Sequence, residues 1–288
     1  MSYLIVGDSS TDINEEIAKR GLIRHVPLTM ELDGERIVDD ETFDQKAFLE
    51  KVASSSDYPK SSCPSPGDFM QHYGEADEIY VITLSGNLSG SYNSAEVAKN
   101  LYLEDHPDAK IHVFDSCSAS VGQTLVALKI MELKDAGADF DTVVSKVTKY
   151  RDMKQTRFIL DTLETFRKNG RINNISALLI STLNIKPIMK GTVDGKIEKL
   201  DQARGFNKSL KLLSEHIGKE MKAAAASSDP DMHPENRILA ISHCNNPARA
   251  QIALDFISQQ VKFKEVVVVN MRGLSSTYAN DGGIIVSY

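Results

Sequence analysis

The chain has 288 residues, of which 41% are hydrophobic, so it can bury a substantial core in one large domain or two moderate ones. Its 33 basic and 40 acidic residues give a net charge of -7 without an extended basic block, which argues against a nucleic-acid partner. Three widely spaced cysteines (Cys63, Cys117 and Cys244) indicate neither a disulfide framework nor a zinc site. No basic leader and no apolar run of about 18 residues occurs. We therefore expect a soluble, cytoplasmic protein without a membrane span.

The N-terminal half alternates short apolar strands with helical patterns, which is typical of an open α/β sheet. Strands are predicted over residues 3–6, 26–32, 35–38, 79–84 and 111–114. Helices are predicted over residues 12–19, 42–53, 120–135 and 141–153, with two more beginning at Pro66 and after Tyr92. Ser10 or Thr11 can cap the first helix, and Ser65 can cap the helix at Pro66. Asp33-Gly34 suits a two-residue hairpin turn with positive φ.

Three of these strands end in loops rich in Ser and Asp. The loops are Asp8-Ser9-Ser10-Thr11-Asp12, Ser85-Gly86-Asn87-Leu88-Ser89-Gly90-Ser91 and Asp115-Ser116-Cys117-Ser118. Because such strand ends gather at one edge of an open α/β sheet, they predict a ligand site there. In the second loop, glycines allow close backbone approach, serines add hydroxyl donors, and we expect unpaired backbone N–H groups that suit a carboxylate or phosphate. Plain helix capping is the alternative interpretation of the same residues.

The segment from Ser54 to Gly67 is rich in Ser and Pro and is predicted to be irregular, which puts Ser61 and Ser62 on a loop-like arm. We place a lobe boundary near residue 160, so that residues 1–160 form an α/β lobe and residues 161–288 an α+β lobe. In the second lobe, Asp194-Gly195 predicts a hairpin, and residues 206–224 predict an amphipathic helix with Leu210, Leu213, Ile217 and Met221 inward.

The rest of the second lobe is predicted from short patterns. A short helix from Asp161 to Asn169 precedes an apolar stretch over 175–183, and residues 225–236 are predicted to be a mobile surface loop. Strands over 237–241, 266–269 and 283–287 and a helix over 247–260 complete the chain.

Four motifs of phosphate-binding or catalytic sites are absent from the sequence: G-x-x-x-x-G-K-[ST], G-x-G-x-x-G, H-E-x-x-H and G-x-S-x-G. An enzyme, a phosphotransferase or hydrolase using Ser89, Asp8 or Asp115 on a small phosphorylated substrate, stays open as an alternative. Arg171 and Arg204 each adjoin a glycine at an element boundary, where a guanidinium can pair with an anion or a partner's acidic surface. A regulatory module that binds lipid and reports through these arginines is a third possibility.

Several short motifs, each weak alone, occur together in a recognisable order. They are Asp8-Ser9-Ser10-Thr11-Asp12, Ser61-Ser62-Cys63-Pro64-Ser65-Pro66, Leu84-Ser85-Gly86-Asn87-Leu88-Ser89-Gly90-Ser91-Tyr92, Val113-Phe114-Asp115-Ser116, Gly170-Arg171-Ile172, Ile185-Lys186-Pro187-Ile188 and Arg204-Gly205. In this order and spacing, the chain resembles the DegV family of fatty-acid-binding proteins, including the FakB subunits of bacterial fatty acid kinase, over nearly its whole length.

The resemblance implies a two-lobe α/β protein, not itself an enzyme, that holds a long-chain fatty acid in a buried apolar tunnel. It implies that Ser61 and Ser89 bind the carboxylate, and that a partner fatty acid kinase phosphorylates the bound acid to an acyl phosphate. Ser62, Gly90, Asp115, Arg171, Arg204 and Tyr278 are then expected around this site or at the partner contact. Apart from the fatty acid as ligand, neither a cofactor nor a metal is expected.

One departure from the family concerns the C-terminal motif His-x-Gly-Pro-Gly. This chain has Tyr278-Ala279-Asn280-Asp281-Gly282, so Tyr278 stands where the histidine is expected. A phenol can donate a hydrogen bond but is not a cation near neutral pH. Binding of the carboxylate is compatible with this change, whereas a part in phosphoryl transfer is in question.

Overall fold

The structure of the protein is a computed structural model that describes residues 2–172 and 184–288. Its strands are β1 (Tyr3–Asp8), β2 (Ile23–Val26), β3 (Thr29–Leu32), β4 (Glu35–Val38), β5 (Lys60–Ser62), β6 (Glu78–Thr83), β7 (Lys110–Asp115), β8 (Thr156–Ile159), β9 (Ile185–Gly191), β10 (Ile197–Arg204), β11 (Ile238–His243), β12 (Glu265–Asn270) and β13 (Ile284–Ser287).

Ten helices accompany these strands in the described ranges. They are α1 (Glu15–Lys19), α2 (Gln45–Ser54), α3 (Pro66–Tyr73), α4 (Ser91–Asp105), α5 (Val121–Asp135), α6 (Phe140–Met153), α7 (Glu164–Lys168), α8 (Phe206–Ala224), α9 (Pro247–Ser258) and α10 (Gly273–Ala279). Two 3-10 turns, Pro230–Met232 and Pro234–Asn236, lie in residues 225–236, the segment predicted to be a mobile surface loop. Of the described helices, none is long and apolar enough to cross a membrane.

The first sheet is parallel and has the order β2-β1-β6-β7. Its central strand β6 is buried at every position, as expected for a β-branched strand covered on both faces. The second sheet has six strands in the order β10-β9-β8-β13-β11-β12, and all its pairs are antiparallel except β11 with β12. A third, small antiparallel sheet has the order β4-β3-β5.

Helix α5 lies between the two large sheets. Its buried residues pack with Ile5 and Tyr80 of the parallel sheet and with Ala240 and Val267 of the six-stranded sheet. A helix that is apolar on nearly all sides requires cover on all sides, and its position between two sheets supplies that cover. The expected two-lobe α/β fold, with an open N-terminal sheet and a C-terminal α+β part, is confirmed. The division at residue 160 stays a prediction; β8, just before it, belongs to the six-stranded sheet.

Strongly patterned segments form the elements predicted for them. Helix α8 spans the predicted residues 206–224, with all four predicted inward residues buried. The hairpin at Asp33-Gly34 is present, with φ of 54° and 77° at the two turn residues. The cap at Ser65 is confirmed, because its side chain accepts a hydrogen bond from Asp68 N and Asp68 bonds back to Ser65.

Other predictions were wrong. Helix α1 begins at Glu15 and is capped by Asn14, not by Ser10 or Thr11. Ser61 and Ser62 lie in strand β5 and not on an irregular arm, because β3 supplies backbone partners for this polar segment. Val26 ends the separate strand β2, and neither β8 nor α10 was predicted. The apolar stretch over 175–183 lies outside the described residues.

Candidate functional site

A cavity of about 270 Å³ opens between the lobes. Its volume is close to roughly 300 Å³, the lower end of the range typical of small-molecule binding pockets. Apolar side chains from both halves of the chain line it, including Leu28, Leu84, Leu88, Phe158, Phe166 and Ile285. Hydroxyl-bearing and cationic residues complete the wall, including Ser61, Ser89, Thr156, Arg171, Lys196 and Tyr278. Such a wall suits a ligand that is mostly hydrocarbon and has one polar end.

Ser61 reaches the cavity from β5. Its partner across the small sheet is Met30 of β3, and its side chain is half-buried, whereas the neighbouring Ser62 is exposed. The Ser61 hydroxyl and the Tyr278 hydroxyl are hydrogen-bonded at 2.9 Å, although the two residues are 217 positions apart. Two of the predicted site residues therefore touch, and Ser62 lines the same cavity.

Tyr278 belongs to α10 and is part of an aromatic group on the cavity wall. Its ring lies 4.7 Å from the ring of Phe166, which in turn is 6.1 Å from the ring of Phe158. These contacts hold the phenol with its hydroxyl at Ser61 and its ring against the apolar part of the wall.

The loop from Leu84 to Ser91 differs from its prediction. Its backbone N–H groups find acceptors inside the protein: Leu84 N donates to Asp8 Oδ2 (2.8 Å), Ser85 N to Ser118 O (2.7 Å) and Gly86 N to Asp115 (3.2 Å). Leu88 N and Ser89 N both donate to Ser85 O, at 2.9 and 3.0 Å. The expectation of unpaired N–H groups was therefore wrong for these positions, and the Ser89 hydroxyl is a donor that this loop places on the cavity wall.

Ser89 is half-buried and lines the cavity. Its hydroxyl accepts a hydrogen bond from Ser91 N at 3.2 Å and lies 3.1 Å from the Ser91 hydroxyl. Next to it, Gly90 packs against the end of β5: a Cβ atom at Gly90 would lie only 3.0 Å from Cys63 Sγ. The absence of a side chain at Gly90 thus lets the Ser89 loop and the Ser61 strand approach each other.

The other predicted site residues have different surroundings. Arg171 is half-buried on the cavity wall, where its Nε donates to Leu88 O at 3.3 Å and its Nη1 to Asn169 O at 2.5 Å. Asp115 lies behind the loop and accepts from Gly86 N and from Cys117 N (2.8 Å). Arg204, at the end of β10, is exposed and is not part of the cavity lining. The structure thus gathers Ser61, Ser62, Ser89, Gly90, Arg171 and Tyr278, but neither Asp115 nor Arg204.

The turn between β9 and β10 contacts the loop from Leu84 to Ser91, which we call the serine loop. Ser85 Oγ donates to Gly195 O at 2.8 Å, and Asn87 Nδ2 donates to Asp194 O at 2.5 Å. Gly195 has φ of +79°, so it takes a conformation that favours glycine. Through these bonds the second lobe helps to enclose the cavity.

Three fully buried carboxylates lie behind the cavity. Burial raises the pKa of Asp8 to about 6 and that of Asp12 to about 7, although hydrogen bonds from Gln123 and Ser120 respectively oppose the shift. Burial also raises the pKa of Asp39. Each of these carboxylates accepts backbone N–H groups from a distant segment, so each has a structural use. The sequence indicated Asp8 as a candidate but gave no sign of the role of Asp39, because the partners of the Asp39 carboxylate, Gly273 N and Leu274 N, are more than 200 residues away.

Metal binding has no support from this geometry. Within residues 2–172 and 184–288, no group of three or more His, Cys, Asp or Glu side chains is placed to hold a metal ion.

Together, the fold and the cavity define a two-lobe α/β protein in which an apolar pocket carries hydroxyl donors on its wall. The chain belongs to the DegV family, described as a family of uncharacterised proteins, whose model matches residues 2–288.

Solved structures of the family share this fold. A DegV family protein of Ruminococcus gnavus, with vaccenic acid, is 40% identical with a TM-score of 0.93, and covers 100% of each chain. A DegV family protein of Eubacterium eligens, loaded with heptadecanoic acid, is 30% identical with a TM-score of 0.88 and 99% coverage of each chain. The Streptococcus pneumoniae fatty acid kinase B3 protein, loaded with linoleic acid, is 31% identical with a TM-score of 0.86, covering 100% of this chain and 99% of the other.

Proposed function

We propose that this protein binds one long-chain fatty acid in the cavity, with its carboxylate on the hydroxyls of Ser61 and Ser89, and presents it to a partner fatty acid kinase. The observation that carries the proposal is an apolar cavity whose wall holds the Ser61–Tyr278 hydroxyl pair and the Ser89 hydroxyl. Three family members of known structure were solved with a fatty acid, which supports this ligand class.

The chemistry of the wall suits a carboxylate. A carboxylate accepts hydrogen bonds only, and Ser61, Ser89 and Tyr278 each have an O–H that can turn toward it. Bonds to an ionised acceptor are roughly twice as strong as those between neutral groups, so two or three of them anchor the acid. Arg171, on the same wall, offers the nearby positive charge. We assign Gly90 to close approach of the two serine segments, and Asp115 to holding the serine loop from behind.

Tyr278 would replace the family histidine with a neutral donor. Its 2.9 Å hydrogen bond to Ser61 supports a part in binding the carboxylate. Because a phenol is uncharged near neutral pH, we assign charge compensation for the acid, and later for its acyl phosphate, to Arg171 and to the kinase.

The kinase as partner is supported by the likeness to the Streptococcus pneumoniae fatty acid kinase B3 protein. Ser62 and Arg204 are exposed, as a contact with a partner requires. The alternative of a hydrolase or phosphotransferase lacks a specific observation: in the described part of the cavity wall there is no His, Asp or Glu to serve Ser89 as a general base.

The proposal is tested with delipidated protein, palmitate, ATP and a bacterial fatty acid kinase. We expect saturable binding of one palmitate per chain, and acyl phosphate only when the kinase, ATP and this protein are all present. Ser61→Ala should weaken palmitate binding, whereas Ser55→Ala, directly after α2 and outside the cavity lining, should not. Failure to take up palmitate would overturn the binding claim, and binding without kinase-dependent acyl phosphate would overturn the presenting role alone.

A further inference from the structure

Helix α10, which carries Tyr278, has no side-chain cap of its own at its N-terminus. Three successive N–H groups there donate to carboxylates from the other end of the chain. Gly273 N and Leu274 N donate to the two oxygens of Asp39, each at 2.8 Å, and Arg272 N donates to Asp12 Oδ1 at 2.6 Å. The orientation of α10 is therefore set from outside the helix.

Asp39 is fixed in turn by the small sheet. It directly follows β4, its own N–H donates to Leu28 O at 2.9 Å, and its side chain is fully buried. The Arg272 guanidinium lies 3.8 Å from its carboxylate and balances the charge. A cap of this kind cannot shift without moving β4 or exposing a buried carboxylate.

Glycine at position 273 permits the contact. A Cβ atom there would lie 2.7 Å from Asp39 Oδ1 and 2.6 Å from Met30 Cε, distances that non-bonded atoms do not tolerate. Met30 lies in β3 and is also the strand partner of Ser61 in β5. Hence α10 packs across the small sheet, with Asp39 beside one edge strand and Ser61 in the other.

The two ends of α10 thus meet the same rigid unit. Asp39 holds the first residue of the helix, and the hydroxyl of Tyr278, five positions later, meets Ser61. Five helical residues rise about 7.5 Å and two strand spacings amount to about 9.6 Å, and the long Tyr278 side chain covers the difference, so that the helix and this side chain together reach from one edge strand to the other.

We propose that Asp39 is a positioning residue, which sets the Tyr278 hydroxyl against Ser61 and so shapes the carboxylate end of the cavity. The inference about ligand affinity rests on the proposed function, whereas the inference about Tyr278 does not. The test therefore has one arm without ligand and one with it.

The first arm follows the Tyr278 ring in ligand-free protein labelled with [ζ-13C]tyrosine, its resonance assigned by its loss in Tyr278→Phe. Asp39→Asn keeps the size of the side chain but faces one of the two N–H donors with an amide NH2. We expect Asp39→Asn and Ser61→Ala to shift the Tyr278 resonance. The control Asp139→Asn, which alters the cap of α6 at Thr142 N, should leave it in place.

The second arm measures palmitate affinity in a double-mutant cycle. Asp39→Asn should weaken binding by about tenfold in the wild-type background, the effect of one misplaced hydrogen bond, and less than about twofold in the Tyr278→Phe background. Equal losses in both backgrounds would overturn the assignment, because they indicate a structural effect unrelated to Tyr278.

A folded Asp39→Asn protein with an unchanged Tyr278 resonance would also overturn it. If Asp39→Asn does not fold, Gly273→Ala serves instead, because its added methyl group displaces the Asp39 carboxylate without removing it. A shifted Tyr278 resonance in this variant would support the role of Asp39, and an unchanged resonance would overturn it. Wild-type protein that binds no palmitate would refute the proposed function, and the resonance of Tyr278 would still decide the role of Asp39.

Discussion

Replacing Ser89 with alanine should have two separable effects, because its hydroxyl bonds within the protein and, in the proposed function, to the ligand. One partner is internal: Ser91, whose N–H donates to Ser89 Oγ at the start of α4 and whose hydroxyl lies 3.1 Å from it. Loss of such a helix-start bond costs about 1 kcal/mol of folding free energy. The other partner would be the fatty acid carboxylate, and losing a bond to a charged group costs about 1 to 3 kcal/mol. That range corresponds to a dissociation constant raised roughly 5- to 150-fold.

The assay measures both quantities on delipidated protein. Chemical unfolding gives the stability loss, and titration with palmitate gives the dissociation constant. Asn246→Ala is the matched control, since Asn246 caps α9 by accepting from Arg249 N at 3.0 Å, away from the cavity. We expect the two variants to lose similar stability and only Ser89→Ala to lose affinity. A Ser89→Ala protein that is as stable as expected and binds palmitate like the wild type would refute the assignment of Ser89.

Three further predictions concern stability. Burial lowers the pKa of His25 to about 4, so the folded state holds this ring neutral while the unfolded state takes up a proton below about pH 6.5. The free energy of unfolding therefore falls as the pH falls through this window. Between pH 7 and 5, His25→Gln should lose up to about 2 kcal/mol less of this free energy than the wild type, as measured by urea unfolding. An equal loss in both proteins would contradict the lowered pKa of His25. Gly195→Ala should cost about 1 to 3 kcal/mol, since φ is positive there and a Cβ atom would collide with the Ser85 side chain; unchanged denaturant unfolding would rule this out. Ile217→Ala, at a fully buried position of α8, should lower the unfolding free energy by about 2 to 5 kcal/mol, and a loss below 1 would show that the helix is poorly packed.

The local sequence pattern was sufficient to predict an element where that element is stabilised by its own residues. Helix α8 is long and has one apolar face, and the turn at Asp33-Gly34 needs two residues that accept positive φ. Both were predictable because the responsible residues are close in sequence.

Elements stabilised by distant partners could not be found in this way. Strand β5 has only three residues, Lys60-Ser61-Ser62, and becomes a strand through its pairing with β3. Helix α10 is short, has no local cap, and depends on Asp12 and Asp39. The prediction of unpaired N–H groups in the serine loop was wrong for the same reason, since their acceptors include the distant residues Asp8, Asp115 and Ser118.

The residues of the candidate site were predicted partly from the chemistry of the sequence and partly from its resemblance to the DegV family. Ser-rich strand ends pointed to the loop around Ser89, whereas Ser61 and Tyr278 were selected by their place in the family motifs. Their 2.9 Å contact could not be derived from the sequence, because it depends on how α10 crosses the small sheet.

The central claim is that the cavity holds one long-chain fatty acid by its carboxylate, and native mass spectrometry tests it most directly. Protein purified without delipidation should show a mass increase of one fatty acid per chain, and solvent extraction should release that acid. The double variant Ser61→Ala, Ser89→Ala should lose most of the added mass, while Ser55→Ala retains it. Wild-type protein that stays at its bare mass after incubation with palmitate, or a double variant that retains the acid in full, would contradict the account.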